Sequence, residues 1–198
     1  MDGLVTLFLL WSVWIYATFI MDKREENRLS VAVLALLLII TTPLLIPAFS
    51  VTISCSIFIL LLINYYIASK LPLLKKTYLV FSVIALMFGY SGFQLLEMYD
   101  PIWVFFDRRV FLSIIFLFFS YLIYPLSLKW RFILICLGSI HGEILFAIII
   151  SRWNMPYLIG TAVYFDIICV TFICLLGAHG LVKLVDMLTL LNKKKIQQ

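Results

Sequence analysis

Charged residues are scarce in this chain of 198 residues. Aspartate, glutamate, lysine and arginine together make up 13% of it, whereas soluble domains are about one quarter charged. Hydrophobic residues account for 65%, and the mean hydropathy is +1.15. This composition excludes a water-soluble fold and predicts an integral membrane protein.

The common catalytic signatures are also missing from the sequence. His141 and Glu143 are too close in sequence for a zinc-binding HExxH motif, and the chain has no GxSxG elbow, Walker loop or Rossmann fingerprint. The longest predicted external loop covers only residues 97–109, so no soluble catalytic domain fits. We therefore expect a protein that is not an enzyme and that uses no cofactor. An intramembrane enzyme acting on lipid is the least supported alternative.

Cysteine is rare as well. Cys55, Cys136, Cys169 and Cys174 all fall within apolar runs rather than in external loops where an oxidising compartment would pair them. The spacing of Cys169 and Cys174 does not suit metal ligands on one helical face, and no histidine lies within a turn of them. We interpret all four cysteines as packing residues and predict no metal site.

Seven apolar runs fill the chain, each close to the roughly 20 residues that a helix needs to cross a bilayer. Residues 29–69 contain no charge but are about twice as long as one pass, with Pro43 and Pro47 in the middle. Proline breaks a helix, so a tight helical hairpin turn is predicted near Pro47. The fold class is therefore all-α, a bundle of seven transmembrane helices. The predicted spans are 3–21, 30–46, 49–69, 77–96, 110–128, 132–150 and 157–178, followed by an interfacial helix and basic tail over 181–198.

Lysine and arginine concentrate on one side of this predicted bundle. With the N-terminus outside, twelve of the fifteen fall inside, and Arg108, Arg109 and Arg152 fall outside. The positive-inside rule therefore predicts an N-out, C-in topology. The net charge of +5 is then explained by anionic lipid headgroups, without nucleic acid. The lipid bilayer is the expected partner, and a membrane-protein partner or a homo-oligomer is a further possibility.

The aromatic segment 101–106 in the longest external loop is predicted to lie against the outer leaflet. A surface that docks a partner protein is the alternative interpretation of the same segment.

The sixth and seventh spans contain the most suggestive polar residues. Span six carries Gly138, His141, Gly142 and Glu143, and span seven carries Asp166. Ionisable groups at membrane depth are costly and are candidates for function. In an antiparallel hairpin of the two spans, His141 and Asp166 would lie about 13 Å deep and Glu143 about 3 Å nearer the outside, so the three can meet. The two glycines form a GxxxG pair that allows another helix to come close.

Two interpretations of this candidate cluster stay open. Its members could relay protons, coordinate a cation or balance the charge of a substrate, or they could pair with one another and lock helices together. His141 and Glu143 are two apart on a helix and point in different directions, so a shared site requires a third helix or a kink. This spacing favours the structural interpretation and counts against a metal site.

The opening LWSVW and YATF segments and the charged turn from Asp22 to Arg28 resemble the YphA-like membrane proteins of spore-forming Gram-positive bacteria. The chain length and the span layout resemble that family too. The resemblance implies a bacterial plasma-membrane protein of an uncharacterised family, with no known catalytic residues to transfer.

We interpret the chain as a multi-pass plasma-membrane protein of unknown function. Short loops and the lack of catalytic motifs favour a non-enzymatic membrane assembly or scaffold protein. The alternative is a small transporter or proton-coupled permease that uses His141, Glu143 and Asp166.

Overall fold

A computed structural model describes residues 2–48, 51–100, 107–124 and 127–196. The predicted aromatic patch at 101–106 lies outside these ranges. Within them the chain forms seven α-helices and one small sheet. The helices are α1 (Leu4–Ile15), α2 (Arg28–Thr41), α3 (Cys55–Ser69), α4 (Leu73–Tyr99), α5 (Arg108–Ile123), α6 (Leu128–Ser151) and α7 (Ala162–Ile196).

Three helical segments in the described ranges are long and apolar enough to cross a membrane by length and composition. They are α4, α6 and the first 24 residues of α7, Ala162–Val185. Shorter apolar helices cover Leu4–Ile20, Arg28–Thr41 and Cys55–Ser69. Each sequence-predicted span overlaps mainly one of these helices, although the span 110–128 also includes Leu128, the first residue of α6.

The strands replace the helical turn that was predicted between spans two and three. α2 ends before Pro43, and β1 (Leu45–Ala48) pairs antiparallel with β2 (Val51–Ser54). The predicted helical hairpin at Pro47 is therefore wrong, and the predicted span ends at 46 and 49 do not mark helix ends. β1 is an edge strand of the sheet, where proline is tolerated because its missing N–H is not needed for pairing.

The third strand, β3 (Tyr157–Ile159), pairs in parallel with β2 and lies between α6 and α7. The seventh helix therefore begins at Ala162 rather than at 157. From there α7 runs without a break to Ile196, so residues 181–196 extend the last helix instead of forming a separate interfacial helix. Gly160 connects the strand to α7 with a φ of 80°, a conformation that glycine adopts without steric cost.

Contacts between helix ends define the two ends of the bundle. Arg108 at the start of α5 pairs with Glu97 near the end of α4, and Tyr157 of β3 reaches Gln94 of α4. We call this the sheet end. At the opposite end, the hydroxyl of Tyr78 near the start of α4 donates to the carbonyl of Ile123, the last residue of α5.

Helix α6 is the centre of the bundle, and α4 is its main neighbour. The two helices run in parallel, because Gly138 faces Leu86 and Gly142 faces Tyr90 one turn further along both. A Cβ atom at Gly138 would lie 2.5 Å from Leu86, and one at Gly142 would lie 2.6 Å from Tyr90. The glycines therefore allow an approach that larger residues would prevent.

The turn from α1 to α2 is closed by an arginine. A π-helical segment, Tyr16–Ile20, follows α1. The Arg28 guanidinium donates from Nε to the carbonyl oxygen of Ala17 at 2.9 Å and also contacts the carbonyl oxygen of Thr18. A cation at a helix C-terminus satisfies carbonyl groups that have no partner in the helix, so Arg28 stabilises this reversal of the chain.

Candidate functional site

Glu143 of α6 is 1% exposed and is surrounded by hydrogen-bond donors. Its Oε1 atom accepts from the Tyr90 hydroxyl at 2.7 Å and from the Gln94 amide at 2.8 Å. Its Oε2 atom accepts from the Tyr157 hydroxyl at 3.0 Å. Tyr90 and Gln94 are one turn apart on α4, and Tyr157 belongs to β3. The carboxyl group therefore joins α6 to α4 and to the sheet.

All three donors to Glu143 are neutral groups. An ionised carboxylate that is buried without a cation is costly. Arg108 shares a cavity with Glu143, but its Nε atom lies 3.2 Å from Oε2 of Glu97. A carboxylate offers about four acceptor positions, and three of them are occupied here. One position is thus left for a proton or for a ligand.

A cavity of about 320 Å³ lies beside Glu143 at the sheet end. Asp2, which is exposed, forms part of its wall and connects the cavity to the surface. Polar groups therefore line a cavity that an exposed residue and a buried carboxyl group share. The charged and hydroxyl-bearing residues of the lining are Asp2, Tyr90, Arg108, Glu143, Tyr157, Thr161 and Tyr164.

Asp166 is fully buried and has a different set of partners. Its Oδ2 atom accepts from the Gly3 amide at 2.9 Å, and its Oδ1 atom accepts from the Thr6 amide at 3.0 Å and the Thr6 hydroxyl at 2.8 Å. Nη1 of Arg109 lies 3.2 Å from Oδ2. The N-terminal amides of a helix have no partner within it, so Asp166 of α7 caps α1 and is balanced by Arg109.

His141 makes a third and separate network. Its Nδ1 atom lies 2.6 Å from the Leu137 carbonyl oxygen, and its Nε2 atom lies 2.6 Å from the Tyr65 hydroxyl of α3. A carbonyl oxygen can only accept, so Nδ1 carries the hydrogen, and in the neutral ring Nε2 accepts from Tyr65. His141 thus connects α6 to α3.

The structure does not bring the three predicted residues to one site. Each of His141, Glu143 and Asp166 joins α6 or α7 to a different neighbour. The cause is the direction of the side chains, because Ser139 of α6 lies 3.0 Å from Tyr164 of α7 and the two helices are therefore adjacent at this level. His141 faces α3, Glu143 faces α4 and Asp166 faces α1.

No metal centre is found in the described ranges, where no group of three or more histidine, cysteine or acidic residues could hold an ion. The four cysteines are free thiols, and Cys136 and Cys169 are buried.

The model of the YphA-like integral membrane protein family matches residues 2–198. The chain belongs to this family. No curated protein and no solved structure matches it. The match confirms the predicted resemblance to this family, and together with the apolar helices it shows an integral membrane protein.

Some residues around Glu143 in this YphA-like protein carry a signal in the sequence and others do not. Tyr90 and Gln94 are a pair of large polar residues at helical spacing in a mostly apolar run, a pattern that indicates a shared polar neighbour. Tyr157 follows Pro156 in a short linker, and its contact with Glu143 depends on the pairing of β3 with β2. Nothing local in the sequence indicates that contact.

The Tyr157 hydroxyl has one hydrogen and two acceptors within reach, Oε2 of Glu143 at 3.0 Å and Oε1 of Gln94 at 3.2 Å. When Glu143 is ionised, Tyr157 donates to it. When Oε2 of Glu143 carries a proton, it can donate to the Tyr157 oxygen while Tyr157 donates to Gln94. The carboxyl group can therefore gain or lose a proton while the heavy atoms keep their positions.

Proposed function

We propose that the chain is a seven-span protein of the bacterial plasma membrane with its N-terminus outside and its C-terminus inside. In support, the starts of α5 and α7 meet the N-terminus of α1 at the sheet end, where α4 also ends. An alternating topology then assigns twelve of the fifteen basic residues to the opposite end, which the positive-inside rule assigns to the cytoplasm. The shorter helices can still span the bilayer if it thins locally or if long flanking side chains extend to its surface.

The function that the geometry supports best is proton-coupled transport, with Glu143 as the proton-binding group. The observation that carries this proposal is a buried carboxyl group with only neutral donors at the base of a cavity that reaches the surface. Ionisable groups that face the interior of a bundle or a water-filled cavity at membrane depth mark ion and proton pathways. His141 and Asp166 have structural contacts of their own and take no part in this site.

Infrared spectroscopy of the protein in proteoliposomes tests whether Glu143 binds a proton. As the external medium is acidified, the carbonyl stretch of protonated carboxyl groups should contain a component in the wild type that is missing in Glu143→Gln, and the difference between the two spectra is the Glu143 band. Glu26→Gln, a change at an exposed position at the opposite end, is the matched control and should keep the band. Identical carboxyl spectra of the wild type and Glu143→Gln would rule out the proposed site.

Transport itself is tested with the same vesicles. An interior pH dye reports proton entry when a panel of small metabolites is added to an acidic exterior. We expect at least one metabolite to drive proton entry in the wild type and in Glu26→Gln, and none in Glu143→Gln. Proton binding without any coupled entry would indicate a different role for Glu143.

An assembly role is the second candidate, and a surface groove favours it. The groove lies between α4 and α5 and measures about 340 Å³. It is lined by apolar residues and includes Gly89 and Gly92, where an added Cβ would have no described atom within 4 Å other than those of its chain neighbours and its own helix backbone. Small residues that expose the helix backbone allow a transmembrane helix of a partner protein to pack closely.

One substitution separates the two candidates. Gly89→Leu fills the groove and should abolish partner capture in cross-linking if the protein acts in assembly, while leaving the Glu143 infrared band in place. Glu143→Gln should remove the infrared band and leave partner capture unchanged. Loss of the band in Gly89→Leu would show that the groove and the Glu143 site are not independent.

A further inference from the structure

A second cavity lies at the end opposite the sheet. It measures about 460 Å³ and is enclosed by the start of α4, the end of α5 and the start of α6. Among the described residues of its lining, Lys75 has the only charged side chain, and none is a carboxylate. The polar and aromatic residues around Lys75 are Tyr78, Tyr124, Ser127 and Trp130.

The aromatic wall of this cavity is held in position by its own contacts. The Tyr78 hydroxyl donates to the carbonyl of Ile123 at 3.0 Å, and the Tyr78 and Tyr124 rings meet edge to face at 5.5 Å. The Ser127 hydroxyl oxygen accepts from the Trp130 amide at 3.4 Å. Its own hydrogen is not used in that bond, so Ser127 can still donate to a ligand.

The electrostatics of this end favour an anion. Lys75 lies in the first turn of α4, which follows Pro72 and has no side-chain cap. The first amides of a helix have no partner within it, and they add a partial positive charge to that of the lysine. Trp130 lies next to the cavity between Lys129 and Arg131, a position typical of the membrane interface.

We propose that this cavity binds the phosphate headgroup of an anionic phospholipid. The phosphate contacts Lys75 and Ser127, and the indole of Trp130 lies at the level of the headgroup. Most of the lining is apolar, and Leu74 beside the lysine is 88% exposed, which suits acyl chains rather than a free, fully hydrated anion. In the proposed topology the lipid belongs to the inner leaflet, where anionic headgroups attract basic residues.

Native mass spectrometry of the purified full chain tests this lipid site. The protein is titrated with phosphatidylglycerol and, separately, with phosphatidylcholine. We expect the wild type to retain phosphatidylglycerol preferentially. Lys75→Gln should weaken that binding about fivefold, the effect of one lysine near an anionic headgroup. Lys76→Gln, the adjacent lysine that does not line the cavity, is the matched control and should change the binding little.

Three results would overturn the proposal. Equal losses in Lys75→Gln and Lys76→Gln would show a diffuse attraction to the basic surface, and equal retention of the two lipids would show that the net negative charge of the headgroup is not recognised. Displacement of the lipid by an equal concentration of inorganic phosphate would show an anion site that does not require lipid. Lys75 is exposed, so its substitution should not impair folding, and an unchanged melting temperature verifies this.

Discussion

Asp166 near the start of α7 binds both the amide and the hydroxyl of Thr6 in α1, at 3.0 Å and 2.8 Å. The first and last helices of the chain are therefore joined by one buried side chain. Side-chain caps normally come from the residue just before a helix, but here the cap comes from the opposite end of the sequence. α1 itself begins after Gly3, which has no side-chain cap, so its N-terminus depends on α7.

Removing the cap should loosen α1 from the bundle. Asp166→Ala leaves the Gly3 and Thr6 amides without a partner and Arg109 without its buried anion, and breaking a buried ion pair costs about 3 kcal/mol. We expect a marked fall in the melting temperature of the detergent-purified protein. Thr6→Val keeps the two hydrogen bonds from the amides to Asp166 and removes the one from the hydroxyl. It should therefore lower the stability by only about 1 kcal/mol. Equal effects of the two changes would contradict the capping role.

Substitution of a glycine in α6 should cost much more stability than substitution of a glycine that faces open space. Gly142→Ala places a Cβ against Tyr90 and 3.2 Å from the Met87 carbonyl oxygen, and overpacking of this kind typically costs about 1–3 kcal/mol. Gly177→Ala in α7 meets nothing within 4 Å among the described residues. It should be neutral or slightly stabilising, because alanine favours helix. Thermal unfolding of the two variants side by side measures the contrast. A cost at Gly177 equal to that at Gly142 would count against close packing of α4 on α6.

The structural role of His141 can be separated from the Glu143 site. Tyr65→Phe removes the hydroxyl that His141 accepts from, and because Tyr65 is 45% exposed, the loss should stay within about 1 kcal/mol. The infrared band assigned to Glu143 should be unchanged in this variant and in His141→Gln. A change in that band would show that His141 and Glu143 are coupled, as the original cluster hypothesis requires.

The sequence predicts the membrane class well because composition and apolar length are properties of whole segments. Glu143 and Asp166 stand out for the same reason, as ionisable residues in apolar runs. Their partners depend on tertiary structure. Tyr157 reaches Glu143 only because β3 pairs with β2, more than 100 residues away in sequence. Prolines at 43 and 47 indicate a break in the helix, but not that a distant strand completes a sheet there.

The start assigned to span seven shows the limit of hydropathy. The apolar run begins at 157, whereas α7 begins at Ala162, because residues 157–159 form β3. Apolar strand residues such as Leu158 and Ile159 have the same hydropathy as helix residues, so hydropathy alone cannot separate β3 from α7.

Tyr90 and Tyr157 both donate to Glu143, yet only Tyr157 has a second acceptor, Oε1 of Gln94. Tyr90→Phe and Tyr157→Phe each remove one buried hydrogen bond to a carboxyl group, so their stability losses should be similar, about 1.5–3 kcal/mol if the group is ionised. Their effects on proton exchange should differ. Without the Tyr157 hydroxyl, the neutral carboxyl group loses the acceptor for its proton and the link to Gln94.

We therefore expect the protonated carboxyl band to exchange with heavy water much more slowly in Tyr157→Phe than in Tyr90→Phe. Time-resolved infrared spectroscopy after transfer to heavy water measures both rates. If the two variants exchange alike, the cavity must deliver water to Glu143 directly, because Tyr157 would then contribute only a hydrogen bond that Tyr90 contributes equally. A selective slowing would instead place Tyr157 on the proton route between the sheet end and Glu143, since stability alone would not distinguish the two tyrosines.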